Sequence, residues 1–587
     1  MSPNATPTAR NTSQGSRLKV FLFALSFAYI TKSLALMYSR SMITQIERRF
    51  NIPSSLVGVI DGSFDIGNLL VIIFVSYFGA KLHRPRMISI GCLIMFLGSC
   101  LTATPHFIMK RYQYEGLVSR SSENSSSYVN LCLANHSRAP APEVPEGIIQ
   151  TLSILGPLLG SLLASFFAKI YVDIGFVDLD DVFLTASDAR WVGAWWMGFL
   201  VSGVLNLLAA VPFFFLPRSL PKEGQEDQKD ESELRETLHP PITEDSTESG
   251  KKTEIPAQGF LTLLQNLLKN RVYMLYLLVT VLQFSAFVGF MTFLPKYLEQ
   301  QYGKPASEAI FMIGVYSLPV IAVGYFLGGF LMKKYKTSIF MAAKLGFGTS
   351  VTEYLLYLLA FTMVCKNAAM AGLTVTYDGV EAVSYLNNVT SGCNVNCGCA
   401  TDVWDPVCGD DGVGYVSACL AGCSSTSGTG VDMVFQDCGC VRSVNGTATR
   451  GQCPREEACD VMLIYFMLLN LACCLIYSLG AMPGYMVLVR SLTPEEKSFG
   501  LGLHLLAARA LGGIPSPIHY GAAIDTTCIR WGTNSCGDPG ACRMYDSDMY
   551  RYFYVGIPTL LRFVSYIPCI FILLALRRAS AHTQGGT

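Results

Sequence analysis

Charge is scarce in this chain. Asp, Glu, Lys and Arg together make up 15% of its 587 residues and cancel to a formal net charge of zero, against roughly a quarter in soluble domains. A protein this poor in charge, with 51% of its residues apolar, cannot cover a water-facing surface, which excludes an ordinary soluble fold. A Walker-type phosphate loop, a zinc constellation and a catalytic triad are all missing. Hence no enzymatic activity, cofactor, metal or nucleic-acid partner is expected. The first apolar window is expected to remain as a span and not to be cleaved as a leader, because it is long, carries Lys32 and shows no small-residue cleavage site before Arg40.

What is present is apolar length. Windows of roughly 20 residues, enough to cross a hydrocarbon core about 30 Å thick, recur at 18–38, 56–79, 87–107, 148–170, 192–216, 272–294, 309–332, 344–364, 461–483, 501–524 and 553–576. The expected class is an all-α polytopic membrane protein. Most of the twenty cysteines cluster at Cys365 to Cys459 and Cys528 to Cys542, outside the windows, so both loops belong in an oxidising, external compartment. Basic or charge-rich segments, "AKLHRPRM", 217–271, "KKYK" and the tail "RRAS", belong in the cytoplasm. Within the long loop, 222–257 is too polar to bury a core. The segment "ITQIERRF", Ile43–Phe50, breaks this pattern, being basic on a side that must be external, and reads as a short amphipathic helix.

Counting spans from the two ends gives a conflict. From a cytoplasmic N-terminus, three spans place 108–147 outside, in agreement with sequons at Asn124 and Asn135, so the helix at Ile148 begins outside. Counting back from the external cysteine loop, with its sequons at Asn388 and Asn445, the same helix begins inside. A missing span between Phe107 and Ile148 reconciles the counts. An inverted half, or an external N-terminus carrying the sequons at Asn4 and Asn11, are the alternatives. Internal repetition favours the missing span: "VIIFVSYFGAKLHRPRMIS" from Val71 resembles "VIAVGYFLGGFLMKKYKTS" from Val320, as in two-bundle transporters with six spans per half. The expected layout is a cytoplasmic terminus 1–17, a first bundle 18–216 of about five spans, a cytoplasmic linker 217–271, a second bundle 272–576 of six, and a cytoplasmic tail 577–587.

The passage "DARWVGAWWMGFL", Asp188 to Leu200, resembles the signature of the organic anion transporting polypeptides. Similarity extends through "IPSSLVGVIDGSFDIGNLL", "EQQYGKPASEA", "YVSACLAGC" and "ARALGGIPSPIHYGAAIDTTC", and is nearest to the first subfamily, which handles bile salts, steroid conjugates and thyroid hormones. The resemblance implies a twelve-span major-facilitator bundle in the plasma membrane that carries large amphipathic organic anions without sodium, in exchange for an intracellular anion. It also implies a fourth span, with an arginine and a Gly-Glu-Thr-Pro turn, that is absent here. Fifteen cysteines are expected outside, an odd number, with Cys132 having lost its partner. The alternative is a non-transporting chain retained in the endoplasmic reticulum, and reduced folding yield is expected in either case.

Charges inside spans mark candidate site residues, since each costs about 2.5–3.5 kcal/mol at the bilayer centre on insertion scales. Lys32 is read as a cationic wall of the substrate cavity, with snorkelling as the bland alternative. Arg509, with a fork suited to sulfate or carboxylate, is read as the second anion-binding group. Asp61 and Asp65, one helical turn apart, share a face; Asp65 is expected to pair with a buried cation, Lys32 being one candidate, with proton coupling as the sharper reading. His106 is a candidate for pH-dependent coupling. Trp191, Trp195 and Trp196, with Asp188 and Arg190, form either an interfacial belt or an aromatic cavity rim. Segment 393–440, with Cys393, Cys397, Cys399, Cys408, Cys419, Cys423, Cys438 and Cys440, looks like a Kazal domain. Protease inhibition is the remote reading, because "ATDVWDP" offers no basic anchor. The expected partners are small organic anions and membrane lipid.

Overall fold

The computed structural model describes residues 8–78, 83–112, 148–177, 184, 188, 190–215, 260–335, 338–381, 385, 388–428, 433–493, 496–533 and 539–584. The sequons at Asn124 and Asn135, Cys132, Cys536 and most of the linker lie outside these residues. Each apolar window falls on a helix. Before the linker come α1 (Thr8–Ser41), the short α2 (Ile43–Phe50), α3 (Ser54–Phe78), α4 (Arg84–Ile108), α5 (Ile148–Lys169) and α6 (Trp195–Phe215). After it come α7 (Phe260–Lys269), α8 (Arg271–Tyr302), α9 (Ala306–Tyr335), α10 (Ile339–Tyr357), α11 (Glu457–Arg490), α12 (Lys497–Ala507), α13 (Pro515–Asp525) and α14 (Ser547–Gln584). Seven helices among the described residues, in α1, α4, α6, α8, α9, α11 and α14, are each long and apolar enough to cross a membrane. The pair α12–α13 is one window interrupted by a π turn, Ala508–Gly513. Gly512 and Gly513 with Pro515 and Pro517 explain the break, since proline cannot donate to the preceding turn.

Close helix contacts are made through glycine, as expected where lipid supplies no hydrophobic drive between helices. On α5, Gly156 and Gly160 in "GPLLG" sit so near α1 that an added Cβ would meet the carbonyls of Ile30 and Leu34 at 2.6 Å. On α3, Gly58 and Gly62 repeat this spacing against α13 and the π turn, where a Cβ at Gly58 would lie 2.2 Å from the Pro517 carbonyl oxygen. The helices before and after the linker therefore meet along α3–α13, and again along α5–α9.

The two halves differ in one place. In the second, α11 packs along both α9 and α10. By the internal repeat their counterparts are α3 and α4, and among the described residues no helix packs along both of these. On α4, Leu97 and Leu101 stay exposed at 64% and 61%, with open space beside Gly98.

The external loop between α10 and α11 folds as a five-stranded antiparallel sheet in the order β2-β1-β5-β4-β3, with β1 Val407–Gly409, β2 Gly414–Tyr415, β3 Ser425–Ser427, β4 Val434–Gln436 and β5 Ala448–Arg450. Disulfides Cys393–Cys440, Cys399–Cys419, Cys408–Cys453 and Cys423–Cys438 staple it, and Cys365–Cys459 ties its two roots. Two corrections follow. The unit runs beyond residue 440 to Cys453, because β5 and the partner of Cys408 lie there. Cys397 is no part of the disulfide framework: it is exposed with a free thiol. A hairpin of β6 (Cys528–Thr533) and β7 (Pro539–Tyr545), closed by Cys528–Cys542, covers the external end of α13.

The glycine contacts make a direct expectation. Gly58→Ala forces its methyl into the Pro517 carbonyl and should cost more than the usual overpacking penalty of about 1–3 kcal/mol. Size-exclusion of detergent-solubilised protein should show a collapsed monodisperse peak for Gly58→Ala and an unchanged one for Gly98→Ala. Equal profiles would contradict the packing described.

Candidate functional site

The cations singled out in the sequence come together from opposite halves. Arg509 lies inside the π turn, and its Nη1 donates to Asp65 Oδ1 of α3 at 2.6 Å. Gly513 makes room for this pair, since a Cβ there would sit 2.6 Å from Asp65 Oδ2. Asp65 is therefore paired with Arg509 and not with Lys32, which corrects the candidate partner named from sequence. The partners are 444 residues apart, and the π turn that directs the arginine toward α3 has no simple sequence signature. Asp65 is buried, while the Arg509 side chain keeps 33% of its surface exposed. Asp65 accounts for one of the five guanidinium donors and is the only hydrogen-bond partner found for the Arg509 side chain among the described residues. Lys32 on α1 is half-buried, makes no ion pair among the described residues, and stands near enough to Arg509 for the two charges to repel. One turn up α3, Asp61 accepts from Arg40 Nε at 3.2 Å and from Thr292 Oγ1 of α8 at 2.8 Å.

Toward the external face the halves are locked by charges that sequence reasoning did not single out. Lys296 of α8 donates to Glu47 of α2 at 2.5 Å and to Ser54 Oγ at 2.6 Å, and lies 5.0 Å from the Tyr545 ring centre. Arg48 of α2 pairs with Glu299. Asp525 at the end of α13 accepts from the backbone N–H groups of Ser54 and Ser55 at 3.0 and 2.8 Å, capping α3 from the other half where its orphan donors and positive dipole end favour a carboxylate. Asn51 Oδ1 accepts from the Ala541 N–H of the hairpin at 2.8 Å. What remains open among Glu47, Arg48, Lys296 and Tyr545 is about 10 Å³, no more than a single water needs. The basic segment Ile43–Phe50 that offended the positive-inside bias is thus a helix in which Glu47 and Arg48 are consumed in ion pairs with the other half, while Arg49 donates to the Lys110 carbonyl at 2.7 Å.

The signature residues form a second tie. Arg190, 1% exposed, donates to Asp188 through Nε at 3.1 Å and Nη2 at 2.9 Å, and through Nη1 to Asp405 at 2.7 Å and the Trp404 carbonyl at 3.2 Å. Burial disfavours this cation, but the two carboxylates outweigh burial and raise its pKa. The signature arginine therefore clamps the disulfide-rich loop onto the first half. Within "ATDVWDP", Trp404 is buried in the loop's own core with Met370, Val389 and Leu420 and Asp405 is buried against Arg190, while Ala400, Thr401 and Asp402 stay exposed.

The three tryptophans of the signature are packed inside the first half. Trp195 is 1% exposed, Trp191 and Trp196 are each 9% exposed, and the Trp191 and Trp196 indole N–H groups donate to the carbonyls of Ala168 and Val172 at 2.8 and 2.9 Å. A cavity-rim role does not follow from that placement. His106 is buried, stacked on Trp196 with ring centres 4.4 Å apart, and 4.0 Å from Asp173. Asn388 and Asn445 are both exposed on the external loop.

Comparison with known proteins completes the picture. The family model described as Organic Anion Transporter Polypeptide (OATP) matches residues 20–146 and 146–550. The two matched segments abut at Glu146, within the stretch where the span count fails. Solute carrier organic anion transporter family member 1A2 of Homo sapiens is 46% identical over 621 positions, covering 96% of this chain and 91% of its own. Since 621 exceeds the 587 residues here, that relative carries residues with no counterpart in this chain. Member 1A4 of Mus musculus is 46% identical with the same coverage, and member 1C1 of Homo sapiens is 44% identical, covering 96% of this chain and 88% of its own. Among solved structures, a bacterial homolog of the human lysosomal transporter Spinster, inward-facing and unoccupied, superposes with a TM-score of 0.53 at 14% identity, covering 95% of this chain and 97% of that one. Its occupied inward-facing form gives 0.50 at 13% identity over 98% of each chain. The bundle thus shares the fold of these transporters, and the chain belongs to the organic anion transporter polypeptide family, whose members are membrane transporters and not enzymes.

Proposed function

We propose that this chain moves large amphipathic organic anions across the plasma membrane without sodium, by alternating access of its two halves around Lys32 and Arg509. One observation carries the assignment of the site. Most charges embedded among the helices are consumed by a partner, yet Lys32 has none among the described residues and Arg509, at the seam with α3, keeps a third of its side chain exposed. A sulfate or carboxylate entering there meets a fork already aimed by Asp65 and a second cation from α1. The relatives named as organic anion transporters support the substrate class. Bile salts, steroid conjugates and thyroid hormones, charged at one end and apolar along the rest, are the class this site suits.

The geometry also supports a route for the motion. The pairs Glu47–Lys296, Arg48–Glu299 and Arg190–Asp405 close the external face, so the path from Arg509 leads inward. Opening outward exchanges these buried contacts for water, which compensates desolvated charges well. The glycine-lined seam at α3–α13, and the α5–α9 seam where Gly314 meets the small side chain of Ser161, let the halves rock with little side-chain bulk in the way.

The direct test is uptake of a radiolabelled sulfated steroid by intact cells expressing the chain, with endoglycosidase H digestion and surface biotinylation alongside. Saturable uptake unchanged on replacing sodium by choline, from complex-glycosylated surface protein, is expected. Core-glycosylated, retained protein without uptake would overturn the reading. Lys32→Ala and Arg509→Ala should each lower kcat/KM for the sulfated steroid about tenfold per surface molecule, as loss of one charge-assisted hydrogen bond of about 1.5 kcal/mol requires. Lys169→Ala, exposed at the end of α5, should leave it unchanged.

A further inference from the structure

Away from the seam between the halves, α10 and α11 enclose a groove of about 520 Å³ that opens to the bundle exterior. Lys344, Gly348, Thr349 and Thr352 of α10 and Ile476 and Leu479 of α11 line it. Lys344 is exposed and makes no hydrogen bond or ion pair among the described residues. A lysine on the lipid-facing side of a span is costly unless its stem carries the ammonium to the interface or an anion meets it. Lys344 sits in the second turn of α10, just after the basic end of α9 at Lys333 and Lys334. That turn belongs to the cytoplasmic side by the positive-inside bias, so the ammonium lies at headgroup level there.

Below the lysine the groove is apolar despite its threonines. Thr349 and Thr352 turn their hydroxyls back onto the carbonyls of Leu345 and Gly348, at 3.1 and 2.9 Å, which leaves their methyl groups toward the open space. Gly348 has nothing within 4 Å of where a Cβ would be, and it forms part of the groove wall. From Lys344 to Thr352 the groove follows α10 for about 12 Å at 1.5 Å per residue, within the depth of one leaflet of a core about 30 Å thick.

We infer that this groove is a binding site for one anionic phospholipid of the cytoplasmic leaflet, its phosphate on Lys344 and an acyl chain along Gly348, Thr349 and Leu479. Charge complementarity selects the headgroup, since among the described residues its lining holds one cation and no carboxylate. The groove depth selects a chain over a soluble phosphate. The site is distinct from the one built on Lys32 and Arg509, and its occupant is retained, not carried.

The full chain, purified into nanodiscs of phosphatidylcholine doped with phosphatidic acid, tests this by native mass spectrometry. Phosphatidic acid should remain bound after washing. Lys344→Gln should weaken retention about fivefold, the factor for one lysine at an anionic surface, and Gly348→Leu should abolish it by filling the groove with the charge intact. Lys334→Gln, outside the groove, should not change it. Equal retention by Lys344→Gln, equal retention of phosphatidylcholine, or displacement by glycerol phosphate without acyl chains would each overturn the proposal. Lys344→Gln alters only an exposed side chain, so it decides the matter even if Gly348→Leu aggregates.

Discussion

A guanidinium inside a membrane bundle cannot shed its proton, and it must find an anion or water. Arg509 meets this constraint by joining Asp65 across the seam between the halves, and much of the remaining architecture serves that contact. The π turn carries the arginine, Gly513 lets the carboxylate approach, and Gly58 and Gly62 bring α3 against α13 closely enough for the pair to form. Because Asp65 holds only one donor, the pair orients the arginine without using it up. A site for an amphipathic anion needs that combination of a fixed cation and open donors.

The external pairs have a different character. Glu47, Lys296, Arg48 and Glu299 are buried to near completion, and losing one member of such a pair leaves an uncompensated charge worth about 3–5 kcal/mol. They add little net stability when intact, but they specify which faces can meet. Arg190 extends the same logic outward, so that the disulfide-rich loop, anchored in the second half at Cys365 and Cys459, also grips the first. The loop is thereby part of the closure and not a free appendage.

Much of this was legible in the sequence. Apolar length gave the helices, cysteine clustering gave the external loops, and the failure of the span count pointed to the stretch at which the family match divides. Lys32, Asp61, Asp65 and Arg509 stood out because charge in a span is rare. Their pairing did not, since it depends on a helical irregularity and on contacts hundreds of residues apart. Arg48 and Glu47 were hidden by their placement in a segment that merely broke a topological bias, although that break was the available signal. The tryptophans misled in the opposite sense: a clustered aromatic motif suits a belt, a rim or a core equally well, and only packing against Ala168, Val172 and His106 decides for the core.

The central claim is that Asp65 and Arg509 act as a single unit in anion capture. A double-mutant cycle of Asp65→Asn and Arg509→Gln, read as sulfated-steroid uptake per surface molecule, addresses it most directly. The account calls for strong coupling: the double variant should lose no more activity than Arg509→Gln alone, because Asp65 acts only through the arginine it orients. Losses that add independently, with the double variant falling by the product of the two single factors, would contradict it.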